Sequence, residues 1–389
     1  MVALADNAAP ADLSVYIHWP FCASKCPYCD FNSHVADTID HARWRRALLA
    51  ELDHFANETK GRTVTSVFFG GGTPSLMAPE TTAALIGAVK SHWAAPKDLE
   101  VTLEANPSTA EAGLFQAFRD AGVNRLSLGV QSLRDQDLKF LGRGHSADEA
   151  KGAIKLAART FPRISFDLIY GFAGQTARQW RDDLGAALDL AGDHLSVYQL
   201  TIEPGTPFFR DGVAAADEDS GASLYEITQS VLEDAGLRAY EISNHARPGQ
   251  QCRHNLDIWR GGDYAGIGPG AHGRLSGALG TDAVYQIHGP ERWLARVEAD
   301  GFATAKRLTL GAPERAEEIL MTGLRLREGV RADRFHSLTG REISALLDES
   351  GLRRMIAGGF VEEFESGLRV TAAGRLCLNE VLRQLLANS

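Results

Sequence analysis

The sequence lacks the features of a membrane-spanning or secreted protein. No apolar run in its 389 residues approaches the roughly 18 residues that a transmembrane helix needs. The first 12 residues have neither the basic start nor the apolar stretch of a secretory signal, and we predict that residues 1–12 form a short disordered tail. These absences predict a cytoplasmic protein.

An excess of positive charge is also missing. The chain has 40 Lys and Arg residues against 50 Asp and Glu residues, which gives a formal net charge of −10. Because non-specific binding to nucleic acid needs a basic surface, the composition predicts no nucleic-acid partner. Hydrophobic residues make up 44% of the chain, enough for one large domain and a smaller one.

Cysteine is scarce and unevenly placed. Of five cysteines, Cys22, Cys26 and Cys29 fall in one short segment with the spacing C-x3-C-x2-C. The odd number and the predicted location disfavour a disulfide framework. A 4Fe–4S cluster normally has four Cys ligands, so three would leave one iron open to an exogenous ligand. A structural zinc site completed by His18 or His34 is the alternative.

Six predicted strands alternate with predicted helices along the first two thirds of the chain. The strands are expected at residues 13–18, 65–69, 99–104, 125–129, 164–169 and 195–200. Such alternation is typical of parallel strand–helix units. Six units instead of eight predict a partial barrel, and barrel active sites lie at the C-terminal ends of the strands.

Polar residues and glycines stand where several of these strands end. The segment Gly70-Gly-Gly-Thr-Pro74 follows the second strand, Glu104 ends the third, and Asp167 lies in the fifth. Glycines allow a backbone to pass close to a ligand, and a buried carboxylate needs a partner. The pattern therefore predicts one binding site beside the cysteine segment.

The cysteine spacing and its flanks, Tyr16–Phe21 and Pro27–His34, resemble the radical S-adenosylmethionine (SAM) superfamily. Within it they resemble the group that contains oxygen-independent coproporphyrinogen III oxidase and the HemW family. The resemblance implies a 4Fe–4S cluster on Cys22, Cys26 and Cys29, whose open iron binds the amino and carboxylate groups of SAM. The positions that match SAM-contacting residues of the family are Tyr16, Gly71, Gly72, Thr73, Glu104, Gln131, Arg143 and Asp167.

A second motif follows the predicted barrel. Residues 254–259 read His-Asn-Leu-Asp-Ile-Trp and resemble the HNxxYW segment of the HemW family, with Ile258 in place of the usual Tyr. Because haem takes an axial His or Cys ligand, we expect His254 or His272 to ligate haem, with Cys252 as a rival. If the segment folds across the mouth of the partial barrel, that mouth would supply the aromatic wall of the haem site.

The predicted fold is an α/β, partial (β/α)6 TIM-like radical SAM barrel with a small winged-helix-like α+β domain at its C-terminal end. We predict the barrel at 13–235, an extension at 236–312 and the small domain at 313–389. The resemblance implies a haem chaperone that passes haem to haem-accepting proteins, such as a respiratory one. The sequence does not indicate an oligomeric state.

Two alternatives stay open. The first is coproporphyrinogen III oxidase, which carries a further Cys where this chain has Phe31 and has an extended N-terminal segment that is not seen before residue 13. The second is another radical SAM tailoring enzyme or a methyltransferase. Both alternatives would turn over a substrate, whereas a chaperone would hold stoichiometric haem.

Overall fold

The computed structural model describes residues 12–278 and 280–386. The predicted tail at 1–12 lies outside the described residues except for Asp12, which begins the first strand. Up to residue 234 the elements are β1 (Asp12–Trp19), β2 (Phe21–Cys22), β3 (His34–Val35), α1 (His41–Glu58), β4 (Thr63–Gly71), α2 (Pro79–His92), β5 (Glu100–Ala105), α3 (Thr109–Ala112), α4 (Phe115–Asp120), β6 (Arg125–Gln131), α5 (Asp135–Phe140), α6 (Ala147–Thr160), β7 (Arg163–Tyr170), α7 (Ala177–Leu188), β8 (His194–Gln199), α8 (Pro207–Arg210) and α9 (Glu218–Asp234).

The remaining elements alternate short strands and helices. They are β9 (Arg238–Ala239), β10 (Asn244–Ala246), α10 (Arg253–Trp259), β11 (Tyr264–Ile267), β12 (His272–Gly277), β13 (Gly280–Gln286), α11 (Pro290–Asp300), β14 (Thr304–Leu310), α12 (Ala312–Gly323), β15 (Val330–Arg331), α13 (Ala332–Thr339), α14 (Glu349–Ala357), β16 (Val361–Phe364), β17 (Gly367–Val370), α15 (Ala372–Leu376) and α16 (Leu378–Leu385).

One open, mixed sheet of twelve strands organises the molecule. Its order is β14-β13-β12-β11-β1-β4-β5-β6-β7-β8-β10-β9. The six predicted strands are β1 and β4 to β8, and they run parallel to one another in the predicted order. The predicted partial (β/α)6 barrel is therefore confirmed as an open sheet, and the strands after β8 extend it at both edges.

The two faces of this sheet differ in chemistry. In β1, the side chains of Val15 and Ile17 are fully buried in the main hydrophobic core, together with Leu48 and Leu52 of α1. The alternate positions of the parallel strands carry polar groups, among them Ser14, Ser66, Glu100, Thr102, Glu104, Arg125, Ser127, Ser165, Asp167, His194 and Ser196. Because successive residues of a strand point to opposite faces, the face away from the helices is polar.

Several elements differ from the sequence-based expectation. The helix expected near residues 109–121 is divided into α3 and α4 at Gly113, a residue that weakens helices because it has no side chain. The extension at 236–312, for which only motifs were predicted, supplies strands β9 to β14 and two helices. The proposed boundaries of the three segments stay a prediction, since one hydrophobic core runs from Leu13 to Ala303.

A second hydrophobic core belongs to the C-terminal part of the chain. It joins Leu320 of α12, Phe335 of α13 and Val381 of α16, all fully buried. The strands there form a separate sheet in the order β15-β17-β16. Helices followed by a small antiparallel sheet give the expected winged-helix-like arrangement. None of the helices in the described ranges has the length and apolarity to cross a membrane.

Candidate functional site

The cysteine segment forms a loop at the C-terminal end of β1. After that strand ends at Trp19, β2 pairs in parallel with β3, which follows the third cysteine. The His34 amide donates to the Pro20 carbonyl oxygen at 2.7 Å, and the Cys29 amide donates to the Cys26 carbonyl oxygen at 3.1 Å. These contacts close the loop, so all three thiols lie beside the sheet end where a barrel active site is expected.

A cavity of about 320 Å³ opens beside this loop. Ten of the thirteen predicted site residues line it: Cys22, Cys26, Cys29, Gly71, Gly72, Thr73, Glu104, Gln131, Arg143 and Asp167. Tyr16, His254 and His272 do not. The structure thus brings most of the predicted site together from five strand ends and two loops.

Each cysteine thiol has a polar neighbour at this cavity. The Thr73 hydroxyl donates to Cys22 Sγ at 3.4 Å, and Arg143 Nη1 donates to Cys26 Sγ at 3.1 Å. Cys29 Sγ lies 4.0 Å from the Ser33 hydroxyl. Hydrogen bonds to sulfur stabilise and tune cluster-bound thiolates. The donor set therefore fits an iron–sulfur cluster.

The thiols are not gathered as they would be around a single ion. Throughout residues 12–278 and 280–386, no three His, Cys, Asp or Glu side chains are placed to hold one metal ion. A structural zinc ion would draw four such ligands to within about 2.3 Å. In the part of the chain that the structure describes, the thiols are therefore not arranged as the ligands of a zinc site.

Arg143 connects the cysteine loop to two strand ends. Its Nη2 donates to Asn106 Oδ1 at 2.5 Å and to the Gly129 carbonyl oxygen at 2.7 Å. Asn106 Nδ2 in turn donates to the Thr73 hydroxyl at 3.2 Å. The sequence analysis missed Asn106, although its position in Glu104-Ala-Asn-Pro, directly after β5, could have indicated it.

Glu104 and Asp167 face one another across the polar side of the sheet. Burial, and then the charge of Asp167, raise the pKa of Glu104 to about 8, although the Gly71 amide opposes the shift. Burial raises the pKa of Asp167 to about 6, against the hydroxyls of Ser196 and Ser127. Two carboxyl groups with raised pKa values favour a ligand that brings positive charge or donates hydrogen bonds.

These pKa shifts predict a pH-dependent stability. Since the folded state binds protons more tightly than the unfolded state at both carboxyls, their contribution is present at low pH and lost as pH rises through about 6 to 8. In metal-free and SAM-free protein, we expect the melting temperature to fall less steeply over this range in Glu104→Gln than in wild type. Glu226→Gln, on the exposed side of α9, is the control. Parallel curves for wild type and Glu104→Gln would contradict the assignment.

The glycines of the second strand end have a structural role of their own. Gly71 has a φ of +116°, and a Cβ there would lie 2.7 Å from the His18 ring and 2.8 Å from the Trp19 carbonyl oxygen. A Cβ at Gly72 would lie 2.7 Å from the Phe21 carbonyl oxygen. Close packing of β4 on β1 therefore already requires glycine, and a Gly71→Val variant would disturb the strands as well as any ligand.

Gln131 has an unusual backbone. At φ +72° it is the single non-glycine residue with positive φ in the described ranges. Such a conformation costs of order 1–3 kcal/mol and is common at ligand sites. It places the Gln131 side chain in the lining of the cavity, as predicted for a SAM contact.

Tyr16 lies outside this lining. Its hydroxyl is 3.0 Å from His18 Nδ1, and His18 Nε2 is 2.9 Å from the Asn32 carbonyl oxygen. Tyr16 is therefore connected to the end of the cysteine loop through a buried histidine. Its direct contact with SAM stays a prediction.

The segment His254–Trp259 lies elsewhere than expected. It forms α10, and Glu100 Oε1 accepts from the backbone amides of Arg253 at 2.8 Å and His254 at 3.2 Å. The His254 ring is buried, with Nδ1 3.0 Å from the Ser66 hydroxyl. Glu100 begins β5, whereas the cavity is at the other end of that strand. The segment therefore does not cross the barrel mouth, and the condition for an aromatic wall there is not met.

The other two predicted haem ligands differ in exposure. Cys252 is fully buried, and its Sγ lies 3.6 Å from Glu100 Oε1. His272 begins β12 and is exposed. The preceding glycine-rich segment packs tightly, since a Cβ at Gly266 would collide with the His272 backbone and one at Gly268 with the His18 carbonyl group. Of the three candidates, only His272 is open to a large ligand.

Comparisons with known proteins agree with this geometry. The sequence model described as "Radical SAM superfamily" matches residues 16–187, and that of the "HemN C-terminal domain" matches residues 310–377. In solved structures, the coproporphyrinogen III oxidase HemN from Escherichia coli has a TM-score of 0.82, with 97% of this chain and 91% of that chain covered at 21% identity. The fold and the matched region define a radical SAM protein.

Two relatives show to which family of radical SAM proteins the chain belongs. "Heme chaperone HemW" of Escherichia coli is 39% identical over 384 residues, which cover 96% of this chain and 98% of the relative. "Radical S-adenosyl methionine domain-containing protein 1, mitochondrial" of Mus musculus is 39% identical over 98% of this chain and 88% of the relative. The chain belongs to the HemW family.

Proposed function

We propose that this chain is a haem chaperone that holds a 4Fe–4S cluster, SAM and haem, and delivers haem to acceptor haemoproteins. The observation that carries the proposal is the cavity in which three thiols meet the predicted SAM residues, in a chain of the HemW family. The acceptors we propose include respiratory haemoproteins, and we propose the cytoplasm as the location. Relatives of the chain, among them the one from Escherichia coli, are called heme chaperones.

Cys22, Cys26 and Cys29 would hold the cluster. When bound, such a cluster supplies an open iron that chelates SAM and an electron for its reductive cleavage. The chain's own contribution is to orient the thiols and to donate hydrogen bonds to their sulfur atoms. Arg143 places a positive charge 3.1 Å from one sulfur, and Thr73 donates a hydrogen bond to another.

All of the eight predicted SAM residues except Tyr16 line the same cavity. Gly72 and Thr73 present backbone and hydroxyl groups beside Cys22, where the methionine end of SAM would lie. Glu104 and Asp167 present carboxyl groups that would accept hydrogen bonds from the ammonium or from the ribose hydroxyls. Gln131 would supply an amide beside them.

Oxidase and tailoring-enzyme activities are the rival proposals. Phe31 lines the cavity and is 63% exposed, at the position where the oxidase has a further Cys. An apolar side chain there supplies no sulfur ligand or proton donor. The likeness to HemN at 21% identity concerns the fold alone. These observations favour a binding role over decarboxylation.

Haem binding and SAM binding are tested on one anaerobic preparation. We expect reconstitution with iron and sulfide to give a cluster whose electron paramagnetic resonance (EPR) spectrum changes on addition of SAM. Asp167→Asn is expected to weaken this response, because the neutral amide attracts the SAM cations less strongly. Titration of the same wild-type sample with haemin should saturate at about one haem per chain. A preparation that binds no haem saturably would overturn the chaperone proposal.

A further inference from the structure

Two exposed histidines form a pair beside the cysteine loop. His272 begins β12, and His288 follows β13. Their ring centres are 6.4 Å apart and the rings are nearly perpendicular, at 80°. Tyr285 flanks the pair, with its ring centre 4.7 Å from that of His272. We call His272, His288, Tyr285 and the neighbouring Lys306 the histidine patch.

The separation of the two rings has a chemical meaning. Metal–imidazole bonds are about 2 Å long and the nitrogen lies about 1 Å from its ring centre, so one iron between two imidazoles separates the centres by about 6 Å. The distance between His272 and His288 is close to this value. The spacing of the two ring centres therefore suits two imidazole ligands on one iron.

The pair suits haem iron better than a bare ion. Within the part of the chain that the structure describes, no third His, Cys, Asp or Glu joins His272 and His288 to complete a metal-ion site. A zinc-type ion needs three or four protein ligands. A porphyrin supplies four nitrogens itself and leaves two axial positions, which two imidazoles fill.

The surroundings of the pair also fit a porphyrin. Tyr285 offers an aromatic ring, and Lys306 Nζ lies 5.9 Å from its centre. Lys306 is exposed and makes no ion pair in the described ranges, so its charge is available to a propionate. The chain as a whole carries a net charge of −10, which would repel a propionate. A lysine without an ion-pair partner on this face would therefore provide a local attraction for that anion.

The patch is fixed to the cysteine loop. Asn32 Nδ2 donates to the His288 carbonyl oxygen at 3.0 Å and to the Pro269 carbonyl oxygen at 2.9 Å. Asn32 lies three positions after Cys29. His288 is therefore held at the loop that would carry the cluster, close to the segment that leads into His272.

We propose that haem binds on the histidine patch, with its iron between His272 and His288, its ring beside Tyr285 and a propionate at Lys306. The proposal rests on the proposed function, because it names the site of the haem that the chaperone carries. It assigns no haem contact to His254, which is buried at the opposite end of the barrel.

The full-length protein is titrated with haemin and its spectra are recorded. Wild type is expected to give the six-coordinate, low-spin spectrum of bis-histidine haem. His272→Ala and His288→Ala should each convert it to a five-coordinate or high-spin form and raise the Kd about tenfold or more, and the double variant should lose 1:1 binding. His336→Ala, an exposed histidine of α13 beside Glu342, is the matched control and should behave as wild type.

A second ligand tests the propionate contact. Lys306→Ala is expected to weaken binding of haemin several-fold but to leave binding of its dimethyl ester, which has no propionate charge, unchanged. Equal weakening of both ligands would overturn the role of Lys306. If wild type binds haemin and both histidine variants keep its low-spin spectrum and affinity, the site is elsewhere and the inference fails while the proposed function stands. If wild type binds no haemin, the proposed function fails with it.

Discussion

Replacement of Cys22, Cys26 or Cys29 by Ala is expected to abolish the reconstituted 4Fe–4S cluster. We propose each thiol as one of three protein ligands in a single loop. No spare cysteine is near them, since Cys252 is fully buried at the other end of the barrel. Loss of one ligand leaves two irons open, which exposes the cluster to hydrolysis. Iron and sulfide per chain should fall from about four to near zero, with loss of the visible charge-transfer absorbance.

Cys377→Ala is the matched control for these variants. Cys377 is a half-buried free thiol at the start of α16, in the C-terminal part of the chain. Its replacement should leave iron and sulfide content unchanged. Full cluster occupancy in a Cys22, Cys26 or Cys29 variant, or stoichiometric zinc without iron in wild type, would remove the cluster assignment.

Arg143→Ala is expected to have the next largest effect. The guanidinium holds Cys26 Sγ, Asn106 Oδ1 and the Gly129 carbonyl oxygen with three hydrogen bonds. Its removal leaves the half-buried Asn106 Oδ1 and Cys26 Sγ without this donor, at a cost of at most about 1–3 kcal/mol for each group. We expect less than half of the wild-type iron to remain after anaerobic gel filtration, and the EPR response to SAM to be lost.

Two further variants separate charge from geometry at this position. Arg143→Lys keeps a positive charge but loses the planar guanidinium that binds three acceptors at once. We therefore expect an iron content between those of wild type and Arg143→Ala. Arg134→Ala removes an exposed arginine that pairs with Asp183 at 3.6 Å, and should match wild type. Wild-type iron content and SAM response in Arg143→Ala would show that the contact to Cys26 has no role in holding the cluster.

The parallel strands could be predicted because their signal is local. Buried residues such as Val15 and Ile17 alternate with polar ones, and a helix pattern follows each strand. The cavity residues could be predicted from the rule that parallel strands end at the same edge of the sheet. The rule places Glu104 and Asp167 in one site although 62 residues lie between them in the sequence. Both features need only the order and direction of the elements.

The later strands and helix α10 could not be predicted in the same way. The edge strand Thr304–Leu310 carries exposed charged residues instead of a buried alternation, so its sequence has no strand period. α10 has seven residues, too few to show a helical repeat. Its position depends on Glu100, more than 150 positions earlier, which accepts its first amides.

The predicted haem ligands also show what the sequence alone could not predict. His254 and His272 were both predicted from the residue type alone, yet one is buried against Ser66 and the other is exposed beside Tyr285. The pairing of His272 with His288 depends on the register of β12 and β13, in which His272 lies opposite Tyr285. No sequence motif marks His288, so only the folded chain identifies the pair.

Coproporphyrinogen III turnover by a haem-binding, cluster-loaded sample tests the central claim most directly. The sample is reconstituted anaerobically, shown to bind haemin, and then given SAM, a reductant and coproporphyrinogen III, with porphyrin products measured by chromatography. A haem chaperone predicts about one bound haem per chain and no decarboxylated product. Multiple turnovers to a decarboxylated porphyrinogen would contradict the account and identify an oxidase.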